Sequence, residues 1–254
     1  MSGVEVRSVK FSYGKEIVLE NVTFEVNEGE ILTILGPNGS GKTTLLKCLN
    51  RLLNPEGSVL IDSFDISKLS ERDLAKLVGY VPQIHLPAFP YRVVDVVVSG
   101  RTPHLGLSMP TKKDYELAYN VLGKLSLSYL ADRPYTQLSG GELRLILIAR
   151  ALIQQPKVLL LDEPTSHLDL KNRVFVLKIL KEVAKEGIAI IMSEHDPNLA
   201  SLFSDKVLLM YKGRIVSYGR VQDVLNRENI VKVYGVDVEI FENNGKRYIF
   251  PTIS

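Results

Sequence analysis

Tryptophan is absent from the 254 residues, cysteine occurs once and histidine four times. A lone thiol, Cys48, excludes an internal disulfide and fits a reducing cytosol. His85, His104 and His167 are scattered along the chain and form no metal-binding cluster. No apolar run approaches the ~18 to 20 residues that a membrane-crossing helix requires, so the chain is not expected to span a bilayer. The N-terminal stretch MSGVEVRSVKFSYG has no apolar core of the kind a secretory signal carries. Charge of neither sign dominates. Lys and Arg total 31 against 29 Asp and Glu, leaving +2, and no lysine-rich tail or aromatic-basic stripe is present, so no nucleic-acid partner is expected. Internal repeats and low-complexity segments are missing too, while a 45 % hydrophobic content suffices for a sizeable core.

The most informative segment is Gly36 to Thr44, GPNGSGKTT. It fills every position of the phosphate-binding pattern GxxxxGK[ST], between the apolar run Ile31 to Leu35 and a helical Thr44 to Leu53. Small residues let backbone amides turn inward around phosphate oxygens, and the helix that follows aims its positive end at the same anion. Lys42 is then a point charge for the β- and γ-phosphates, and the Thr43 hydroxyl is a magnesium ligand.

A triphosphate site also needs a carboxylate for its metal and a group to handle the attacking water. Lys157 to Pro164, KVLLLDEP, supplies two acids at the end of an apolar run that reads as a strand buried on both faces. Successive strand side chains point to opposite sides, so the two acids are expected to divide the work. Asp162 is assigned to magnesium and Glu163 to the water that attacks the γ-phosphate.

Leu138 to Glu142, LSGGE, opens the apolar-rich segment Leu143 to Ile153. Ser139, Gly140 and Gly141 thus present free amides at a helix start, which attracts an anion. One phosphate cradle already exists at Gly36 to Thr44, so a second anion-seeking helix suggests a nucleotide sandwiched between two copies of the chain.

Together these residues resemble the nucleotide-binding subunits of ABC transporters. The markers are the phosphate loop, Gln83 in YVPQ, LSGGE, the DEP strand, SHLD at Ser166 to Asp169 and His195 in EHD, in the family's order over nearly the whole chain. The resemblance implies an α/β fold, a P-loop NTPase of ABC type with a mixed core sheet, an antiparallel β edge and a helical subdomain. It implies ATP and Mg2+ as ligands and a head-to-tail homodimer. Partners would be a transmembrane permease dimer and, indirectly, an extracytoplasmic substrate-binding protein, with the chain peripheral on the cytoplasmic face of the cell membrane. ATP would touch Gly36, Pro37, Asn38, Gly39, Ser40, Gly41, Lys42, Thr43 and Thr44 of one subunit, and Ser139, Gly140, Gly141, Glu142 and Asp169 of the other.

Tyr13, in SYGK, resembles the aromatic that stacks on adenine, a role any π-face fills, though packing is the plainer use of such a ring. Gln83 resembles the glutamine that touches the metal and links to the membrane partner; alone, a Gln after Pro is a turn residue. His195 follows the strand Ile188 to Ser193, and ligands in open parallel sheets gather at the carboxyl ends of strands. With the other markers it is read as a contact to the γ-phosphate or its water, joining Glu163 and Gln83 as catalytic residues. The chain departs from the family in two places. Leu143, Arg144 and Leu145 replace a more polar stretch, and Glu194 precedes the histidine with Pro197 after it. Asp196 can cap a helix starting at Pro197, and the Glu194 side chain is expected to point away from the site.

The chain is read as one ABC ATPase domain over 1–254. Residues 1–87 and 153–234 form a RecA-like core with an antiparallel β part at its start, and 88–152 form the helical signature subdomain. Residues 235–254 form a closing β-hairpin turning at Asn243, Asn244 and Gly245. SGRTPHLG at Ser99 to Gly106, TSHLDL at Thr165 to Leu170 and DPNLA at Asp196 to Ala200 resemble ATPases of importers for iron-siderophore, haem and cobalamin. Molybdate or tungstate importers are the alternative. A soluble ABC ATPase of translation or DNA maintenance is a rival of another class, but such chains carry two cassettes or a long coiled coil, and neither is present.

Overall fold

Residues 2–243 and 245–252 are described in the computed structural model; Asn244, at the expected hairpin tip, lies outside them. Two twelve-residue strands open the chain, β1 (Ser2–Tyr13) and β2 (Glu16–Asn27), paired antiparallel. With β4 (Glu56–Ile61) and β5 (Phe64–Asp65) they form a four-stranded sheet ordered β2-β1-β4-β5. The sequence pattern predicts an antiparallel edge joined to the parallel core, whereas these strands fold as a sheet of their own. The alternation explains it: each strand buries a single face, Val4, Val6, Val22, Phe24 and Val26 entering the core beneath.

The second sheet has six strands in the order β10-β9-β3-β8-β7-β6. They are β3 (Ile31–Leu35), β6 (Val78–Val81), β7 (Val158–Leu161), β8 (Ala189–Glu194), β9 (Lys206–Tyr211) and β10 (Arg214–Arg220). The first five run parallel and β10 is the antiparallel edge. β3 and β7 are buried at every position, as their unbroken apolar sequences require of strands covered on both faces.

Helices α1 (Lys42–Leu49) and α2 (Glu71–Leu77) follow β3 and β5. Between β6 and β7 the chain is helical: α3 (Val93–Val98), α4 (Thr102–Leu105), α5 (Lys112–Lys124) and α6 (Gly140–Leu152). Helix α7 (Leu170–Lys185) leads into β8, and α8 (Pro197–Phe203) into β9. Past β10 come α9 (Val221–Val224), α10 (Arg227–Tyr234) and the hairpin β11 (Val238–Asn243) with β12 (Lys246–Pro251).

One apolar cluster joins the helical segment to the sheet, Leu122, Leu130 and Ile146 meeting Leu159, Leu161 and Ile190. A second lies under the N-terminal sheet, where Leu45, Leu46 and Leu49 of α1 meet Leu160 and Ile191. Each such leucine contributes about 1.5–3 kcal/mol by leaving water. The consequence for chemistry is alignment. Leu35 pairs with Glu194, Leu161 with Met192 and Val81 with Leu161, so the loops after β3, β6, β7 and β8 emerge along one edge of the sheet.

Candidate nucleotide site

The loop after β3 turns into α1 at Gly41, whose φ of 101° lies in the left-handed region. A Cβ there would come within 2.9 Å of Leu19 Cδ2 and 3.1 Å of the Val18 carbonyl oxygen, so the turn needs glycine sterically as well. Lys42 is buried, and its Nζ donates to the carbonyls of Gly36 at 2.7 Å and Pro37 at 3.2 Å. Burial lowers its pKa, while Glu163 and Asp162 oppose that shift. In the same loop Ser40 Oγ is buried and has no hydrogen-bond partner among the described residues, an orphan that a phosphate oxygen fits. Pro37 and Thr44 are half-buried, and Asn38 and Gly39 are exposed at the loop tip. Tyr13 ends β1 with 49 % of its surface exposed; its ring meets Phe11 edge-on at 4.9 Å, leaving a face open to a ligand.

The two acids after β7 are held apart by different partners. Asp162 Oδ1 accepts from Thr43 Oγ1 at 3.1 Å and from Ser193 Oγ at 2.7 Å. Glu163 takes a left-handed backbone with φ of 47°, rare for a non-glycine residue, and its amide donates to Ser193 Oγ at 2.9 Å. Its carboxylate is thereby turned to other company. Oε2 accepts from Gln83 Nε2 at 2.6 Å, and Oε1 lies against His195 Nε2 in a short contact. His195 is 42 % exposed by side chain and Glu163 12 %, so this cluster opens to solvent through the histidine.

Arg144 explains one departure from the family pattern. It is buried on α6, and its guanidinium donates to the carbonyls of Pro82 at 2.7 Å and Gln83 at 2.8 Å, tying the helix to the loop after β6. Glu194 explains the other. It is 4 % exposed and turned from the His195 cluster, its Oε1 accepting from Thr165 Oγ1 at 2.7 Å. Burial pushes its carboxyl up to about 7, although the Thr165 hydrogen bond and Arg173 pull the other way. Asp196 caps α8, accepting from the Asn198 amide at 2.8 Å, with Pro197 in the first helical position.

Helix α6 starts in a capping box. Glu142 Oε2 accepts from the Ser139 amide at 2.9 Å, and the Glu142 amide donates to Ser139 Oγ at 3.3 Å. The Ser139 amide holds the Glu142 carboxyl below its ordinary range. The expectation of free amides at Ser139, Gly140 and Gly141 is thus corrected at Ser139, whose amide the Glu142 carboxylate takes up; among the described residues those of Gly140 and Gly141 remain the unpaired first turn. Gly141 is packed, since a Cβ on it would stand 2.8 Å from Asn172 Cγ, whereas nothing lies within 4 Å of one on Gly140. Exposed Asp169 caps α7, accepting from the Asn172 amide at 2.7 Å.

The chain thus brings Lys42, Thr43, Gln83, Asp162, Glu163 and His195 to one edge. Among the described residues, none of Ser139, Gly140, Gly141, Glu142 and Asp169 hydrogen-bonds to the phosphate loop. Sequence reasoning missed Ser193 and Arg144. The lone charge beside Leu143 and Leu145 was a signal for the arginine; Ser193 gave none, because its role comes from the pairing of β7 with β8.

The family model for ABC transporters matches residues 19–166. An uncharacterised ABC transporter ATP-binding protein of Methanocaldococcus jannaschii is 46 % identical over 250 residues, covering 98 % of this chain and 97 % of that one. A probable iron chelatin transport ATP-binding protein of Helicobacter pylori is 36 % identical, covering 97 % and 98 %. Among solved structures, an inward-facing metal-chelate type ABC transporter described as putative gives a TM-score of 0.87 at 32 % identity, covering 100 % of this chain and 98 % of that one. A dimeric ATP-binding cassette in a post-hydrolysis state, bound to ADP and Pi, gives 0.73 at 30 %, covering 86 % and 98 %. With the phosphate loop, the paired acids and the signature helix in this arrangement, the chain belongs to the ATP-binding ATPase subunits of ABC transporters.

Proposed function

We propose that this subunit hydrolyses ATP, in sites shared between two copies of the chain, to drive uptake of a metal chelate through a membrane permease. The grip of Gln83 and His195 on the Glu163 carboxylate, beside the Thr43–Asp162 pair, carries the reading. Lys42 binds the β- and γ-phosphates, exchanging its carbonyl contacts for phosphate oxygens. Tyr13 stacks on the adenine. Glu163 orients the attacking water and takes its proton, while His195 holds the γ-phosphate against that carboxylate. Thr43 Oγ1 and the Asp162 carboxylate, with the Gln83 side-chain carbonyl, would supply oxygen ligands that suit a hard cation. Among the described residues no group of three His, Cys, Asp or Glu side chains forms a metal site of its own, and an ion held here would need triphosphate and water oxygens as further ligands. Magnesium, when bound, neutralises charge on the transferring phosphoryl group.

Head-to-tail pairing is supported by the unpaired amides of Gly140 and Gly141 at an open helix tip, and by the dimeric relative bound to ADP and Pi. Membrane attachment through a permease is supported by a groove of about 400 Å³ lined by the segment that follows Gln83 in the chain, where Leu86, Phe89 and Tyr91 are exposed. No helix among the described residues is long and apolar enough to cross a membrane. An extracytoplasmic binding protein would then deliver the cargo. Its identity as a metal chelate is supported by the named iron chelatin relative and by the metal-chelate type neighbour.

Glu163→Gln should retain ATP binding and lower turnover by about 10²- to 10⁴-fold, with a stable ATP-bound dimer seen by gel filtration. Turnover within a few-fold of wild type would remove Glu163 from its role. For the cargo, ATPase and uptake assays of the subunit reconstituted with its permease should respond to ferric siderophores, haem or cobalamin; a response to molybdate alone would overturn the metal-chelate reading.

A further inference from the structure

Ser193 and Glu194 end β8 and His195 follows directly, and each of the three holds a different part of the loop that follows β7. Ser193 bonds Asp162 and the Glu163 amide, His195 meets the Glu163 carboxylate, and Glu194 between them faces the other way onto Thr165. Thr165 is itself 2 % exposed and opens the turn Thr165 to Asp169, in which Ser166 Oγ donates to the Glu163 carbonyl at 3.0 Å. That turn ends at Asp169, which caps α7; Asn172 of the same helix packs on Gly141 of the signature helix. Arg173, one residue further, has a buried Nε with no hydrogen-bond partner among the described residues, and its charge acts on Glu194.

A buried carboxylate is costly unless its hydrogen bond and charge partners compensate, and an apolar residue would fill the same space at less cost. We propose that Glu194 is a positioning residue for ATP hydrolysis: by accepting the hydrogen bond of Thr165 it fixes the Thr165–Asp169 turn to the strand end that carries His195. The imidazole beside Glu163 and the turn presented to the second subunit then keep one register. This inference rests on the reading of the ATP site given above.

The test uses the full-length protein, with kcat, KM for ATP, equilibrium ATP affinity and Tm measured for each variant. Thr165→Val and Glu194→Leu should each lower kcat about tenfold, the usual weight of one lost hydrogen bond in a rate, with KM and ATP affinity within about twofold. The double variant should be no slower than either single one, because both remove the same contact. Thr165→Ser and Glu194→Gln, which keep a donor and an acceptor in place, should restore turnover. Unchanged kcat in Thr165→Val overturns the proposal, as does a loss matched by falling ATP affinity and Tm. If Glu194→Leu does not fold, the Thr165→Val and Thr165→Ser pair decides alone. Glu163→Gln separates the two readings: fast turnover in it removes the ATP site as assigned, whereas a slow Glu163→Gln beside a fast Thr165→Val removes the role of Glu194 only.

Discussion

Glu194 carries the strongest raised carboxyl in the protein, at about 7 against an ordinary 4.5, and the sign of its effect on stability follows from that direction. Between those two values the folded chain holds a proton that the unfolded chain has released, so stability must fall as pH rises. Its contribution is complete below about 4.5 and is lost as pH rises through about 7. Urea unfolding of the wild type should therefore show a decline from pH 5 to 7.5, on the order of 2–3 kcal/mol, that Glu194→Gln lacks. Equal slopes in the two proteins would mean that the carboxyl is not shielded as described. Taking the difference between the two proteins isolates the Glu194 contribution, because every other titrating group is common to both.

At the scale of elements, the packing of α6 on α7 depends on the absence of one side chain. Gly141→Val would press its side chain against the Asn172 side chain, whose Cβ and Cγ both lie too close, while the Asn172 backbone N–H stays held by the Asp169 cap; it should cost on the order of 1–3 kcal/mol in a urea titration. Gly140→Ala, one residue earlier, meets nothing within 4 Å and should stay within about 0.5 kcal/mol of wild type. The phosphate loop, the paired acids and the helix start at Ser139 were legible in the sequence because their chemistry lies in consecutive residues, whereas the capping box that takes up the Ser139 amide was not read. The strands were legible for a similar reason: Val158 to Leu161 is unbroken and buried on both faces, and β2 alternates. What could not be read was adjacency. Ser193 bridges Asp162 and Glu163 only because β7 pairs with β8, Arg144 reaches Gln83 only because α6 packs under that loop, and the N-terminal strands leave the core sheet because one of their faces must be covered.

For the whole molecule, the proposed sharing of ATP between two copies predicts a complementation pattern. In a Glu163→Gln background, Lys42→Ala removes the phosphate contact of its own subunit, and Ser139→Arg blocks the nucleotide of the opposite one. Each homodimer should then occlude no ATP, whereas a mixed dimer of the two retains one intact site and should occlude one ATP per dimer in a radiolabel assay. Sites complete within single subunits would leave the mixed dimer empty. Such heterodimers also call for a way to follow each subunit separately, and α1 provides it. The Cys48 thiol, fully buried and raised to about 12, is shut off from maleimide reagents while the fold persists. Any one cysteine introduced on the exterior can accordingly accept a fluorophore without the native thiol being replaced, and onset of dye uptake by the unsubstituted chain becomes a direct gauge of its unfolding.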